Sequence, residues 1–169
     1  MFYVTVCELL STDNLTYGKF IESIKSDAYL YDMNGKYAVS VTIKSLAAGL
    51  SGKLAGGDAV SILAFKRGAS IEEESVLLAP PELECVRLAS VINSSGAEIN
   101  ESDPLARDNK TPAAITLLVN GKQAKKLVEL ENTANIHVVF IARGAAADSK
   151  INDFDKRFDT ATDKTLESK

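Results

Sequence analysis

Catalytic chemistry has few residues to draw on in this chain: one histidine, His137, and two cysteines, Cys7 and Cys85, in 169 residues. A lone histidine lacks the oriented partner that a general base needs. No Gly-x-Ser-x-Gly motif supplies a nucleophile. Two distant cysteines and one histidine match no zinc spacing, so neither a metal nor a cofactor is expected. Positive charge is also scarce: a net charge of -4 and a pI near 5.1 offer no basic face for nucleic acid. No run of about 18 apolar residues provides a membrane-spanning helix. Residues 1–10 lack the basic n-region and long apolar h-region of a signal peptide. A cytosolic chain fits that pattern, and so does one that follows an anchor.

What is present is the composition of a folded protein, 46% apolar and 25% charged. The length suits one domain or two small, closely packed ones. Cys7 ends an apolar run, Phe2–Cys7, and Cys85 lies within strand-like Leu83–Leu88. One disulfide and two buried thiols are both compatible with that placement.

Strands dominate the pattern. Phe2–Cys7 is β-branched and aromatic. Phe20, Ile21 and Ile24 recur at helical spacing within Thr16–Ile24. Asn34-Gly35 is a hairpin signal. Tyr37, Val39, Val41 and Ile43 alternate with Ala38, Ser40 and Thr42, which predicts a strand with one buried face. Ala59–Phe65, Val76–Leu78 and Leu83–Ile92 follow as strands, interrupted by Pro80-Pro81. Residues 93–110 read as a long polar loop. Thr111–Val119 is a strand, then Asn120 and Gln123 form a capping box for a helix over Gly121–Glu131, with Ala124, Leu127 and Val128 as its apolar face. Asn135–Ala142 closes a β–α–β unit whose crossover length suits parallel pairing. Beyond Gly144 the chain turns polar. Ile151, Phe154 and Phe158 predict a short amphipathic helix, and the last ten residues read as disordered.

The candidate sites are few. Glu72-Glu73-Glu74 reads as a solvated turn, and Asp153, Asp155 and Asp159 do not follow a calcium-loop pattern. Residues 49–62 hold Gly49, Gly52, Gly56, Gly57 and Asp58 between two apolar runs. The spacing is neither Gly-x-Gly-x-x-Gly nor a P-loop, so a phosphate cradle is not indicated. Gly56-Gly57 suits a tight turn, and Asp58 suits a carboxylate that accepts backbone N–H groups within it. The segment therefore reads as a structural turn.

Ala38-Val-Ser-Val-Thr-Ile43 followed by Gly49-Leu-Ser-Gly-Lys-Leu-Ala-Gly-Gly-Asp-Ala-Val-Ser-Ile62 resembles the core of the Flp (tight-adherence, type IVb) pilus assembly family CpaB/RcpC. That family carries a similar phrase, A-V-S-V then G-x-x-G-x-L-x-P-G-D-x-V-D-V. Pro81–Leu88, then Thr111–Val119 with Gln123, Ala124 and Leu127, then Ile136–Ala142 ending in Arg143, resemble its later blocks in the right order. Residues 4–36 are similar to the second part of a SAF domain. Gly56 stands where the family usually has Pro, and Ser61 where it usually has Asp. The family's N-terminal anchor and first part of SAF have no counterpart here.

The resemblance implies a mainly β (α+β) fold: a β-clip-like SAF portion over 1–64, continuous with a β-rich domain over 65–143, and a polar tail over 144–169. It implies a non-enzymatic, extracytoplasmic assembly component, anchored by an N-terminal segment in the full-length protein. Implied partners are pilus or secretion-machinery proteins, or a second copy of the chain. By analogy with other SAF-like modules, cell-wall glycan is an alternative ligand, with Tyr29 and Tyr31 as candidate stacking residues.

Overall fold

The computed structural model describes residues 28–30, 33, 35–68, 73–99 and 111–166. The strand expected over Phe2–Cys7, the helix over Thr16–Ile24, and residues Cys7, Tyr31 and Asn34 lie outside the described residues. The chain divides into two compact units, Met1–Met33 and Asn34–Lys169. In the first, Ala28–Leu30 forms a 3-10 turn.

Among the described residues the second unit forms one antiparallel sheet of six strands: β1 (Tyr37–Thr42), β2 (Ala59–Lys66), β3 (Val76–Leu78), β4 (Val86–Asn93), β5 (Pro112–Val119) and β6 (Asn135–Ala142). Among the described residues two α-helices accompany it, α1 (Gly121–Thr133) and α2 (Ala145–Leu166). The strand order is β1-β5-β4-β2-β3, and β6 pairs with the other edge of β2. The fold is mainly β with helices added. The boundary expected after residue 64 falls inside β2, and the one after residue 143 falls at the entry to α2.

Parallel pairing across the β5–α1–β6 unit does not occur. β5 already has β1 on one edge and β4 on the other, so no edge is left for β6. β6 runs antiparallel to β2 instead, with Ile62 opposite Val138 and Leu63 opposite His137.

Strand alternation sorts the side chains onto two faces. On the inner face, Val60, Ile62 and Ala64 of β2 join Leu88, Ile115, Leu117, Val119 and Ile136 in the main core. Leu127 and Leu130 of α1 complete it, both fully buried. Burying each such side chain contributes about 1.5–3 kcal/mol. Leu130, not Val128, finishes the helix's apolar face, and Val128 is exposed. Tyr37, at the start of the edge strand, is also exposed.

The capping box forms as the residues predict. Asn120 Oδ1 accepts from the amides of Lys122 (3.0 Å) and Gln123 (2.9 Å), while Gln123 Oε1 accepts from the amide of Asn120 (2.7 Å). Gln123 is buried, and its Nε2 donates to the Glu82 carbonyl at 2.8 Å. α1 also touches β1 and β6, the two flanking strands of the sheet. Glu131 accepts from the Thr42 amide at 3.2 Å, which occupies a donor on the β1 edge.

On the outer face, α2 lays Ala147, Ile151 and Phe154 over Ala59 and Cys85, with Ile141, Ala142 and Phe158 alongside. The Phe154 and Phe158 rings stack at 5.6 Å. This helix spans 22 residues, longer than the short helix expected, and reaches into the stretch expected to be disordered. The loop expected from residue 93 also begins with order. Asn93 Oδ1 accepts from the amides of Ser95 and Ala97, and Ile99 returns to pair with Val91.

Candidate functional site

The glycine-rich segment between β1 and β2 is where most of the motif residues meet. It opens with a 3-10 stretch, Ala47–Gly52, in which Leu50 (φ 53°) and Ser51 (φ 52°) adopt left-handed conformations. Such residues cost roughly 1 kcal/mol or more each and persist only where the surroundings hold them. Here the Ser51 amide donates to the Leu46 carbonyl (2.8 Å) and the Lys53 amide to Leu50 (3.0 Å). The following turn, Ala55–Asp58, closes through the Asp58 amide to the Ala55 carbonyl at 3.2 Å. Gly57 has φ +91° and Gly56 does not share it, the pattern of a type II turn. Gly56 lies against β4: an added Cβ would stand 2.6 Å from the Ala89 carbonyl oxygen. The turn is stitched to β4 by Gly57 N–H to Leu88 O (2.8 Å) and Leu88 N–H to Asp58 O (2.9 Å).

Asp58 is completely buried. Its Oδ2 accepts from the Ala55 amide at 2.9 Å, inside its own turn. Both carboxylate oxygens also accept from Arg143, Nε to Oδ1 at 2.7 Å and Nη2 to Oδ2 at 2.9 Å. Arg143 Nη2 donates further to the Lys53 carbonyl at 2.7 Å, and the guanidinium stands 5.9 Å from the Phe140 ring centroid. A bidentate, charge-assisted pair of this kind is directional and strong. It fastens the turn before β2 to the residue that follows β6. Chemically the arrangement holds; both oxygens of Asp58 are engaged within the fold.

Arg143 was not among the site residues that sequence reasoning selected. The available signal was a single cation directly after an apolar strand, at the end of the last matching block. Gly49 and Gly52 belong to the same segment, Gly49 buried between Ile43 and Pro112, and Gly52 at φ +74°. Tyr29 lies half-buried in the Ala28–Leu30 turn, away from the segment in sequence. His137 is exposed on β6, and Glu73 and Glu74 are exposed before β3. Ser61, where the resembled family has Asp, donates from Oγ to the Leu83 carbonyl at 3.3 Å. Cys85 is a buried free thiol. Burial pushes its pKa up, helped by the carboxylates of Asp155 and Glu84.

Two open clefts flank the outer row of β2. One, of about 250 Å³, is lined by Ser61, Leu63, Pro80, Pro81 and Glu84. The other, of about 210 Å³, is lined by Lys44, Phe65, Arg67, Asn132 and Asn135. Among the described residues no group of three or more His, Cys, Asp or Glu is placed to hold a metal ion. Among them, too, no helix is long and apolar enough to cross a membrane.

The class this defines is a β-rich structural module, in which Asp58, Gln123 and Arg143 tie loops and helices to the sheet. The family model for the Flp pilus assembly protein RcpC/CpaB matches residues 33–140, and the chain belongs to that family. The matched span runs from before β1 to within β6 and contains the whole glycine-rich turn. No curated protein and no solved structure matches the chain.

Proposed function

We propose that this chain is a non-enzymatic assembly component of a Flp-type pilus, acting outside the cytoplasm through contacts with other proteins of the apparatus. The observation that carries the reading is the family match over residues 33–140. The site geometry agrees with it, because Asp58, the most deeply buried polar residue among the described residues of the matched span, is engaged by structural bonds to Ala55 and Arg143. Membership of a pilus assembly family implies contacts with pilus machinery, and the fold offers broad sheet surface for them.

The test is genetic. A clean deletion of the gene in the source cell should abolish or strongly reduce surface Flp fibres counted by electron microscopy, and the wild-type gene should restore them. Normal fibre numbers in the deletion strain would overturn the proposal. An alkaline-phosphatase fusion to the full-length protein checks the location. High phosphatase activity in intact cells is expected, and its absence would contradict an extracytoplasmic role.

A further inference from the structure

The C-terminal helix is attached to the sheet by a post, a hinge and two latches. The post is Arg143, fixed by the Asp58 carboxylate and by the Lys53 carbonyl, so the chain leaves β6 from a held point. The hinge is the next residue. Gly144 sits at φ +63°, a left-handed conformation that favours glycine, and a Cβ added there would meet nothing within 4 Å. Its carbonyl accepts from the amides of Ala147 (2.9 Å) and Asp148 (3.3 Å), so α2 starts directly from it. The latches are ion pairs. Arg87 of β4 holds Asp148 in the first turn of the helix. About two turns on, Lys36, just before β1, donates from Nζ to Asp155 Oδ2 at 2.7 Å. All four side chains are partly exposed, from 29% for Arg87 to 60% for Asp148.

Little apolar surface lies between the latches. Ala147, Ile151 and Phe154 are buried against Ala59 and Cys85, in a cluster that shares no residue with the main core. Ile151 and Phe154 are its only large members that come from the helix and are buried. An element with few buried apolar contacts opens at a lower free energy than the fold as a whole. Partly exposed ion pairs add modestly to its hold and weaken as salt is added. Post, hinge and helix also lie beyond residues 33–140, the span the family model matches.

We propose that α2 is a hinged strap. It swings away from the sheet about Gly144 as one unit, while the Asp58–Arg143 clamp and the main core stay closed. The two ion pairs set how often it opens, so ionic strength controls it. Each opening uncovers Cys85 and the start of β2, the residues the strap covers when closed. The clamp explains why motion is confined to the helix: Arg143 is held on both sides of its guanidinium, and the free rotation begins one residue later.

The full-length protein is alkylated with iodoacetamide at pH 8 below the unfolding transition, and labelling of Cys85 is followed by mass spectrometry. A short peptide of residues 82–88 gives the unprotected rate. The expected rate changes little with urea, because opening the strap exposes far less surface than global unfolding. Raising NaCl from about 0.01 M to about 0.15 M shortens the screening length from about 30 Å to about 8 Å and should raise the rate about threefold. Asp155→Asn should raise it about threefold at low salt and blunt the salt response. Gly144→Ala should raise it about tenfold, since the strained left-handed conformation is needed only in the closed form. Glu129→Gln, which removes the exposed pair with Lys126 on α1, should leave it unchanged. Under the same conditions the amides of Gly57 and Leu88, which tie the Asp58 turn to β4, should exchange hydrogen only through global unfolding. A Cys85 rate that climbs with urea as steeply as global unfolding would overturn the strap. So would a rate indifferent to both Asp155→Asn and Gly144→Ala, or Gly57 and Leu88 amides that exchange in step with Cys85 labelling.

Discussion

The inner and outer faces of the same sheet are held by different means. The inner face is closed on itself: β1, β2, β4, β5 and β6 all contribute, and α1 seals it with two leucines that are fully buried. The outer face has a satellite cluster under α2 and then stops, leaving Leu77 and Val139 to solvent. An antiparallel sheet commonly packs one face on the core and leaves the other to solvent. Here the inner face carries the main core, and the outer face carries only the smaller cluster under α2.

Mutations on the two faces should separate cleanly. Leu117→Ala, in the middle of the inner core, should cost about 3 kcal/mol in denaturant unfolding, because rigid strands surround the void. Asp58→Ala should come next at about 2 kcal/mol, since it frees the half-buried Ala55 amide and removes a charge-assisted pair whose cation, Arg143, is partly exposed and can rehydrate. A double-mutant cycle with Arg143→Ala should show coupling of about 1 kcal/mol or more, and additivity would deny the pair any energetic role. Phe154→Ala on α2 should cost about 2 kcal/mol or less, because a docked helix can shift to close the gap. If it cost more than Leu117→Ala, the contrast between the faces would be wrong.

Cys85 offers a gentler probe of the outer cluster. Its raised pKa keeps it a thiol above the ordinary value of 9.0, so alkylation of the folded protein at pH 8 should be far slower than of the unfolded chain. The sign follows from the raised pKa. The thiol form favours the native state, so its contribution is full below the unfolded pKa and fades as pH rises through the native value. Fast labelling under native conditions would mean that α2 undocks readily. Smallest of all, Leu77→Ser should change stability by less than about 0.5 kcal/mol. A small effect of that kind is what an exposed side chain predicts.

Local order was well written in the residues. Alternation in Tyr37–Ile43 and the apolar run at Asn135–Ala142 marked β1 and β6, and the Asn120–Gln123 spacing marked the cap that forms. Pairing was less legible. Nothing local says that β6 joins β2, because the decision depends on both edges of β5 being taken. The extent of α2 was obscured by the surrounding charges: its buried stripe is Ala147, Ile151 and Phe154 within a run rich in Asp and Lys. The glycine segment was legible as a turn, since Gly57 requires a left-handed φ. Its partner was not, because Arg143 is brought to Asp58 by the whole sheet.

The Asp58–Arg143 pair joins residues 85 positions apart. During synthesis β1, β2 and β4 leave the ribosome long before Arg143 does. Until then the aspartate has no cation, and burying it uncompensated is costly. The turn that launches β2 therefore gains the cation that balances its buried carboxylate only once the chain has been made through the end of β6.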